Sequence, residues 1–147
     1  MPIGQVSVRE VVVATRNTSV QDAAKLMRQH HVGDVVIVDD EKKKPVGIVT
    51  DRDLVISVLA TKLDPSVFTV GDLVTRELVT AREDQGISET IQQMRAKGVR
   101  RMPIVDAHGA LVGIISVDDL VRLIGAELSE LGQLISREQA REATTRR

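Results

Sequence analysis

The chain has 147 residues, 42% of them hydrophobic, with 20 Lys and Arg against 21 Asp and Glu, and no Cys. That is apolar material for one ordinary domain or two small ones. A formal charge of −1 and a single aromatic residue, Phe68, exclude a general polyanion-binding face and the stacking platforms of single-strand nucleic-acid binders.

Without cysteine there are no disulfides and no thiolate metal sites, which suits a reducing compartment. Met1-Pro2-Ile3-Gly4 has neither the charged head nor the long apolar run of a signal peptide. No stretch approaches the ~18 uninterrupted apolar residues of a membrane span. The expected setting is the cytoplasm, with no membrane and no nucleic acid as partner.

In chain order, Val6 to Val13 reads as a lead-in and first short strand. Asn17-Thr18-Ser19 is a polar helix start, and Val20, Ala23, Ala24, Met27 and His31 recur at helical spacing. Val32-Gly33 stops that helix. Val35-Val36-Ile37-Val38 is a continuous β-branched run, the pattern of a buried strand. A charged hairpin loop from Asp39 through Lys42 to Pro45 leads to a strand at Val46-Gly47-Ile48-Val49. A helix from Asp51 is expected to turn Leu54, Val55, Val58 and Leu59 inward. Asp64-Pro65 to Phe68 reads as a connector.

The order then repeats. Val12 and Val79, Val20 and Ile87, Met27 and Met94, Val32 and Val99, and Val38 and Val105 are all 67 residues apart. The loop from Asp106 to Gly113 is one residue shorter than its counterpart, and the offset falls to 66 after it. Each unit is too small to bury both faces of a sheet alone, so two packed units are expected to share a core. From Leu120 to Leu134 a helix is expected, with Ile124, Leu128, Leu131 and Ile135 as a narrow apolar stripe that packs on its own domain or on a second copy. Gly125 and Gly132 weaken it by roughly 1 kcal/mol each relative to Ala. The charged end, Arg137 to Arg147, is expected to fray.

Gly47-Ile-Val-Thr-Asp-Arg-Asp53 and Gly113-Ile-Ile-Ser-Val-Asp-Asp119, with the strands Val35-Val-Ile-Val-Asp39 and Met102-Pro-Ile-Val-Asp106, make the chain resemble a tandem cystathionine β-synthase (CBS) domain pair, or Bateman module. The resemblance implies an α/β (α+β) fold of two β-α-β-β-α repeats, 6–66 and 67–124. They pack face to face with pseudo-twofold symmetry, followed by a C-terminal helix and charged tail over 125–147. It also implies a stand-alone regulatory module, a homodimer, an unidentified protein partner, and an adenine nucleotide (AMP, ADP or ATP) as regulatory ligand with no required cofactor. The alternatives are another adenosyl ligand, such as S-adenosylmethionine or NAD, or a non-catalytic scaffold.

The residues suit an adenosine ligand. A carboxylate accepts from both ribose hydroxyls through charge-assisted bonds of about 1.5–3 kcal/mol each, the role of Asp53 and Asp119. Thr50 and Ser116 stand at helix entrances, where free N–H groups and the dipole favour phosphate. Ile48 and Ile114 sandwich a flat base. The competing reading of Thr50-x-x-Asp53 and Ser116-x-x-Asp119 is N-capping, and the two roles are compatible.

As the resemblance implies, each cleft joins a turn from one repeat to strand starts from the other. One cleft then gathers Ile48, Thr50, Arg52 and Asp53 with Val79, Thr80, Arg100, Arg101 and Met102. Its three arginines suit phosphate, unless Arg100 and Arg101 pair with acids instead. The other gathers Ile114, Ser116 and Asp119 with Val12, Val13, Gly33, Asp34 and Val35. There Asp118 stands where Arg52 does and Asp34 where Arg101 does. Like charges about 4 Å apart repel by ~4 kcal/mol at an effective dielectric of 20, so this cleft is expected to be empty or to hold an uncharged adenosyl group.

Other constellations carry less. His30 and His31 point about 100° apart on a helix and do not make a two-His face, so no metal is expected. Asp39-Asp40-Glu41 runs into three lysines and reads as a solvated loop. There is no P-loop, no dinucleotide fingerprint and no nucleophile motif, so no catalysis is expected.

Overall fold

The computed structural model describes residues 1–41 and 43–146. Lys42 of the charged loop and Arg147 of the tail lie outside the described residues. The chain divides into two compact units, 1–115 and 116–147.

The first unit holds two three-stranded sheets. In one, β1 (Val13–Ala14), β2 (Asp34–Val38) and β3 (Pro45–Thr50) lie side by side, β1 parallel and β3 antiparallel to β2. In the other, β4 (Ala81–Arg82), β5 (Arg101–Val105) and β6 (Leu111–Ser116) repeat the order, with β4 parallel to β5. Helices α2 (Val20–His30) and α5 (Ile87–Lys97) supply the crossovers between parallel strands. The β-branched runs behave as their composition demands: Val35 to Val38 are all buried, as are Met102 to Val105. On α2 the buried positions are Val20, Ala23 and Met27, spaced to share one face. Ala23 and Met27 pack with Val35, Ile37 and Val49 in one cluster. The hairpin between β2 and β3 closes with Asp39 N–H on the Lys44 carbonyl; its counterpart closes one residue sooner, Asp106 on Ala110. The one-residue deletion is therefore a shorter turn.

α2 ends one residue before the expected stop. His31 takes the left-handed conformation, φ 54°, and donates its N–H to the Met27 carbonyl. Gly98 holds the same place after α5, at φ 65°. The helix after β3 also departs from expectation. α3 (Asp51–Leu54) passes into a π turn over Val55–Leu59, closed by Ala60 N–H on the Val55 carbonyl. Val58 is buried, but Val55 and Leu59 are exposed. Positions 55 and 59 stand one step, about 100°, round the axis from 54 and 58, and only the latter face the sheet side.

Two short helices were not legible as such. The lead-in is helical over α1 (Ile3–Val6), and the connector ends in α4 (Val70–Leu73). Each docks on the opposite repeat, and the two dockings are copies. Ile3 N–H donates to Gln85 O at 2.7 Å and Gly4 N–H to Glu83 O at 3.0 Å. Sixty-seven residues on, Val70 N–H donates to Thr18 O at 2.8 Å and Gly71 N–H to Arg16 O at 3.0 Å. Ile3 and Val70 are completely buried. A Cβ on Gly4 would stand 2.9 Å from Glu83 O, and one on Gly71 2.7 Å from Arg16 O; only glycine admits so close a backbone. In the strands, Gly47 leaves room for the Val74 side chain and Gly113 for the Ser7 hydroxyl and the Val8 carbonyl. The leading segments are thus exchanged between repeats, which ties the halves of this unit together by backbone hydrogen bonds as well as apolar packing.

The second unit is one helix, α6 (Val117–Thr145), with Ser116 as its N-cap. It runs through position 125 without a break and does not fray at Arg137. The residues there, Arg, Glu, Gln and Ala, are strong helix formers, and Arg146 pairs with Glu142 one turn back at 3.0 Å.

Candidate functional site

At the start of α3, Thr50 and Asp53 form a complete capping box. Thr50 N–H donates to Asp53 Oδ2 at 2.8 Å, and Asp53 N–H donates to Thr50 Oγ1 at 3.2 Å. Ser116 and Asp119 do the same at the start of α6, with the Ser116 hydroxyl also donating to Asp119 Oδ2 at 2.8 Å. The capping reading therefore holds for both turns. Two further helix starts show that the cap alone is no ligand signature. Thr69 and Asp72 make the same box on α4, and Ser19 caps α2 through Asp22 N–H. What distinguishes Thr50 from Thr69 is its surroundings.

Those surroundings come from both repeats. Asp34 is paired with Thr50 in the β2–β3 register, and Asp51 N–H donates to the Gly33 carbonyl at 2.9 Å. The Arg101 side chain arrives here from β5. Its Nε stands 3.4 Å from Asp34 Oδ2, with the arginine 36% and the aspartate 18% exposed. A Cβ on Gly33 would meet Arg101 Nη2 at 3.4 Å and Asp51 Oδ2 at 3.2 Å. Gly33 thus leaves the room into which the guanidinium folds, between two carboxylates beside the turn. Residues assigned to separate clefts are brought together. The reason is symmetry: Asp34 and Arg101 are the same position of the two repeats, so they meet where the copies face each other. The signal was present in the sequence as opposite charges at one repeat position.

The remaining candidates fall in different places. Met102 and Val35 are fully buried, so their side chains belong to the core and only their backbone remains for a ligand. Ile48 and Ile114 are half-buried on β3 and β6, and Val79 and Thr80 are half-buried just before β4; the Thr80 carbonyl accepts from Gln93 Nε2 at 3.0 Å. Arg52 and Arg100 are exposed. Val12 accepts from Val36 N–H through its carbonyl, while Val13 is an exposed β1 residue. On α6, Asp119 Oδ1 lies 3.8 Å from Arg122 Nη1, so both of its oxygens have partners.

A cavity of about 370 Å³ opens at the other end of β2, lined by Val13, Val38, Asp39, Lys43 and Leu111 among others. Of the candidate residues it takes in Val13 alone. Among the described residues no three His, Asp or Glu stand together as a metal site requires, and no helix is long and apolar enough to cross a membrane.

Comparison with known proteins gives a consistent picture. A model of the CBS domain matches twice, over residues 3–60 and 70–126. An uncharacterized protein of Methanopyrus kandleri is 37% identical over 121 residues, 82% of this chain; the chain spans 61% of that relative's length. Hypoxic response protein 1 of Mycobacterium tuberculosis is 37% identical over 100 residues, 68% of each chain. A crystal structure of Hypoxic Response Protein I with two coordinated zinc ions superposes with a TM-score of 0.74 at 30% identity, covering 83% of this chain and 98% of that one. A CBS domain pair in complex with 5′-methylthioadenosine and S-adenosyl-L-methionine superposes with a TM-score of 0.76 at 29% identity, covering 86% and 98%.

Proposed function

This chain belongs to the CBS domain family, and on that premise we propose that it is a regulatory, non-catalytic module that binds an adenine nucleotide (AMP, ADP or ATP) at the Thr50–Asp53 turn. The observation that carries this reading is Arg101, brought from the second repeat to the side of a turn that belongs to the first. A carboxylate for ribose and a guanidinium for phosphate then come from different repeats, so a ligand that uses both bridges them. The cap occupies Asp53 Oδ2; Oδ1 is the oxygen that takes a ribose hydroxyl.

Arg101 is held by Asp34 before any ligand arrives, so a phosphate competes with a carboxylate for it. The pair is partly exposed, and such pairs are worth about 1 kcal/mol or less. A phosphate at the same place carries more charge and more acceptor oxygens than one carboxylate and engages the guanidinium bidentately, so it displaces Asp34. The exchange changes a contact between repeats, which gives the ligand the difference in affinity between two states that any switch needs. Two chains pair as a homodimer in this reading, and a partner protein reads the change.

A second reading has an observation in its favour. With Arg101 neutralised by Asp34, the turn also suits an adenosyl ligand without phosphate, the class bound by the neighbouring structure with methylthioadenosine and S-adenosylmethionine. Calorimetry with AMP, ATP, adenosine and S-adenosylmethionine separates them. Nucleotide binding at the turn predicts that Asp53→Ala weakens all ligands, and more than Asp119→Ala does. Arg101→Ala is expected to cost AMP and ATP about tenfold while sparing adenosine, and Asp34→Asn to strengthen them. If Arg101→Ala weakens adenosine equally, Arg101 does not read phosphate. If no compound binds the wild type, the scaffold alternative replaces both readings.

A further inference from the structure

The two repeats tie down the lead-in to their first strands differently. In the first repeat the Val12 carbonyl accepts from Val36 N–H at 2.9 Å. Sixty-seven residues on, the donor's place is held by Pro103, which has no N–H. Val79, the counterpart of Val12, cannot receive that bond. A side chain supplies the missing tie one residue later. Gln93 of α5 donates from Nε2 to the Thr80 carbonyl at 3.0 Å. Its Oε1 accepts from Gln85 Nε2 at 2.9 Å, and the same nitrogen of Gln85 donates to Thr90 Oγ1 at 3.1 Å. Thr90, completely buried, donates in turn to the Gly86 carbonyl at 2.8 Å. A carbonyl only accepts, and a carboxamide has one accepting and one donating end, so each partner fixes the next and Gln93 has a single orientation. The first repeat has Thr18, Ala23 and Leu26 where the second has Gln85, Thr90 and Gln93, and there Leu26 packs on the apolar cluster. The repeat therefore folds without such a chain of polar groups.

We propose that Gln93, oriented by Gln85, is a positioning residue of the nucleotide site: it holds the Val79–Thr80 backbone as a fixed wall for the base and so makes the site choose adenine over guanine. The inference rests on the reading that this backbone faces a ligand held at the Thr50–Asp53 turn. Adenine and guanine share an outline and differ in the donors and acceptors they carry at their edges. Backbone groups held in place beforehand tell those edges apart, whereas a segment that shifts accommodates both. With no bond from Pro103, the place of this segment is set by side chains, and a single substitution releases it.

Gln93→Leu installs the residue that the first repeat already carries, and Gln93→Met keeps the length of the side chain; neither has the donor. Two measurements are made on the full chain: amide hydrogen exchange over residues 78–82 without ligand, and the affinities for AMP and GMP by calorimetry. In both variants exchange over 78–82 is expected to quicken about tenfold with β2 unchanged, and the preference for AMP over GMP to fall about tenfold. The ratio separates positioning from stability, since a loss of competent protein weakens both nucleotides by one factor and leaves their ratio alone. Unchanged exchange means that Gln93 does not hold the segment and overturns the proposal. Faster exchange with an unchanged preference for AMP also overturns it, reduces Gln93 to a structural role and leaves the ligand reading standing. A wild type that binds neither nucleotide refutes the ligand reading itself, and the selectivity falls with it.

Discussion

Positions 34 and 101 are one place in two copies of the same repeat, and they carry opposite charges, Asp and Arg. Residues that face each other across a pseudo-twofold axis are special in this respect. If the copies were identical there, each side chain would meet its own like, and two like charges ~4 Å apart repel by ~4 kcal/mol at an effective dielectric of 20. A charged position on the axis is therefore stable only once the repeats have diverged. The cost of that stability is symmetry of the sites: Arg101 lies beside the turn of the first repeat. The helices that follow diverge as well. After Thr50 the helix lasts four residues, turns π and stops before Pro65; after Ser116 no proline follows and the helix runs 29 residues.

The largest effects are expected where the repeats are still alike. Gly4→Ala and Gly71→Ala each force a Cβ against backbone of the other repeat and should cost about 2–3 kcal/mol in urea unfolding. A marked difference between them would mean that the two dockings are equivalent in geometry but not in strength. Asp34→Arg puts two guanidinium groups at the axis. Partly exposed, two long side chains swing apart into solvent, so the loss should be about 1 kcal/mol and not the full repulsion of fixed charges; the charge-swapped pair Asp34→Arg with Arg101→Asp should restore most of it, and additive losses would show that the ion pair contributes nothing. Thr50→Ala and Thr69→Ala each remove a cap and should cost about 1 kcal/mol, but only Thr50→Ala should also weaken a bound nucleotide. Equal binding by both variants would reduce the Thr50 turn to a cap. Smallest of all, His31→Gly relieves a left-handed residue that the second repeat already fills with Gly98. It should raise the midpoint of thermal unfolding by a few degrees at most, about 1 kcal/mol or less.

Much of this protein was set by local pattern. The continuous runs at Val35 to Val38 and Met102 to Val105 had nowhere to go but the inside of a sheet. The helical spacing of Val20, Ala23 and Met27 chose the buried face of α2, and the constant offset of 67 announced the duplication. The Thr50 and Ser116 turns declared themselves as helix starts, because a cap involves only its own four residues.

What local pattern does not carry is which segment meets which. α1 and α4 are four residues long, too short for any periodicity, and they are held by carbonyls of the other repeat. Asp34 and Arg101 were both read as ligand residues; their opposite charges at one repeat position stand in the sequence, but that they face one another follows only from how the repeats pack. The stripe on α6 is plain in its three–four spacing, yet that it stands exposed is a fact of the structure. Secondary structure follows from neighbours a few residues apart, whereas the exchange of segments and the pairing at the axis depend on two distant stretches folding against each other. Those were decided by the tertiary structure alone.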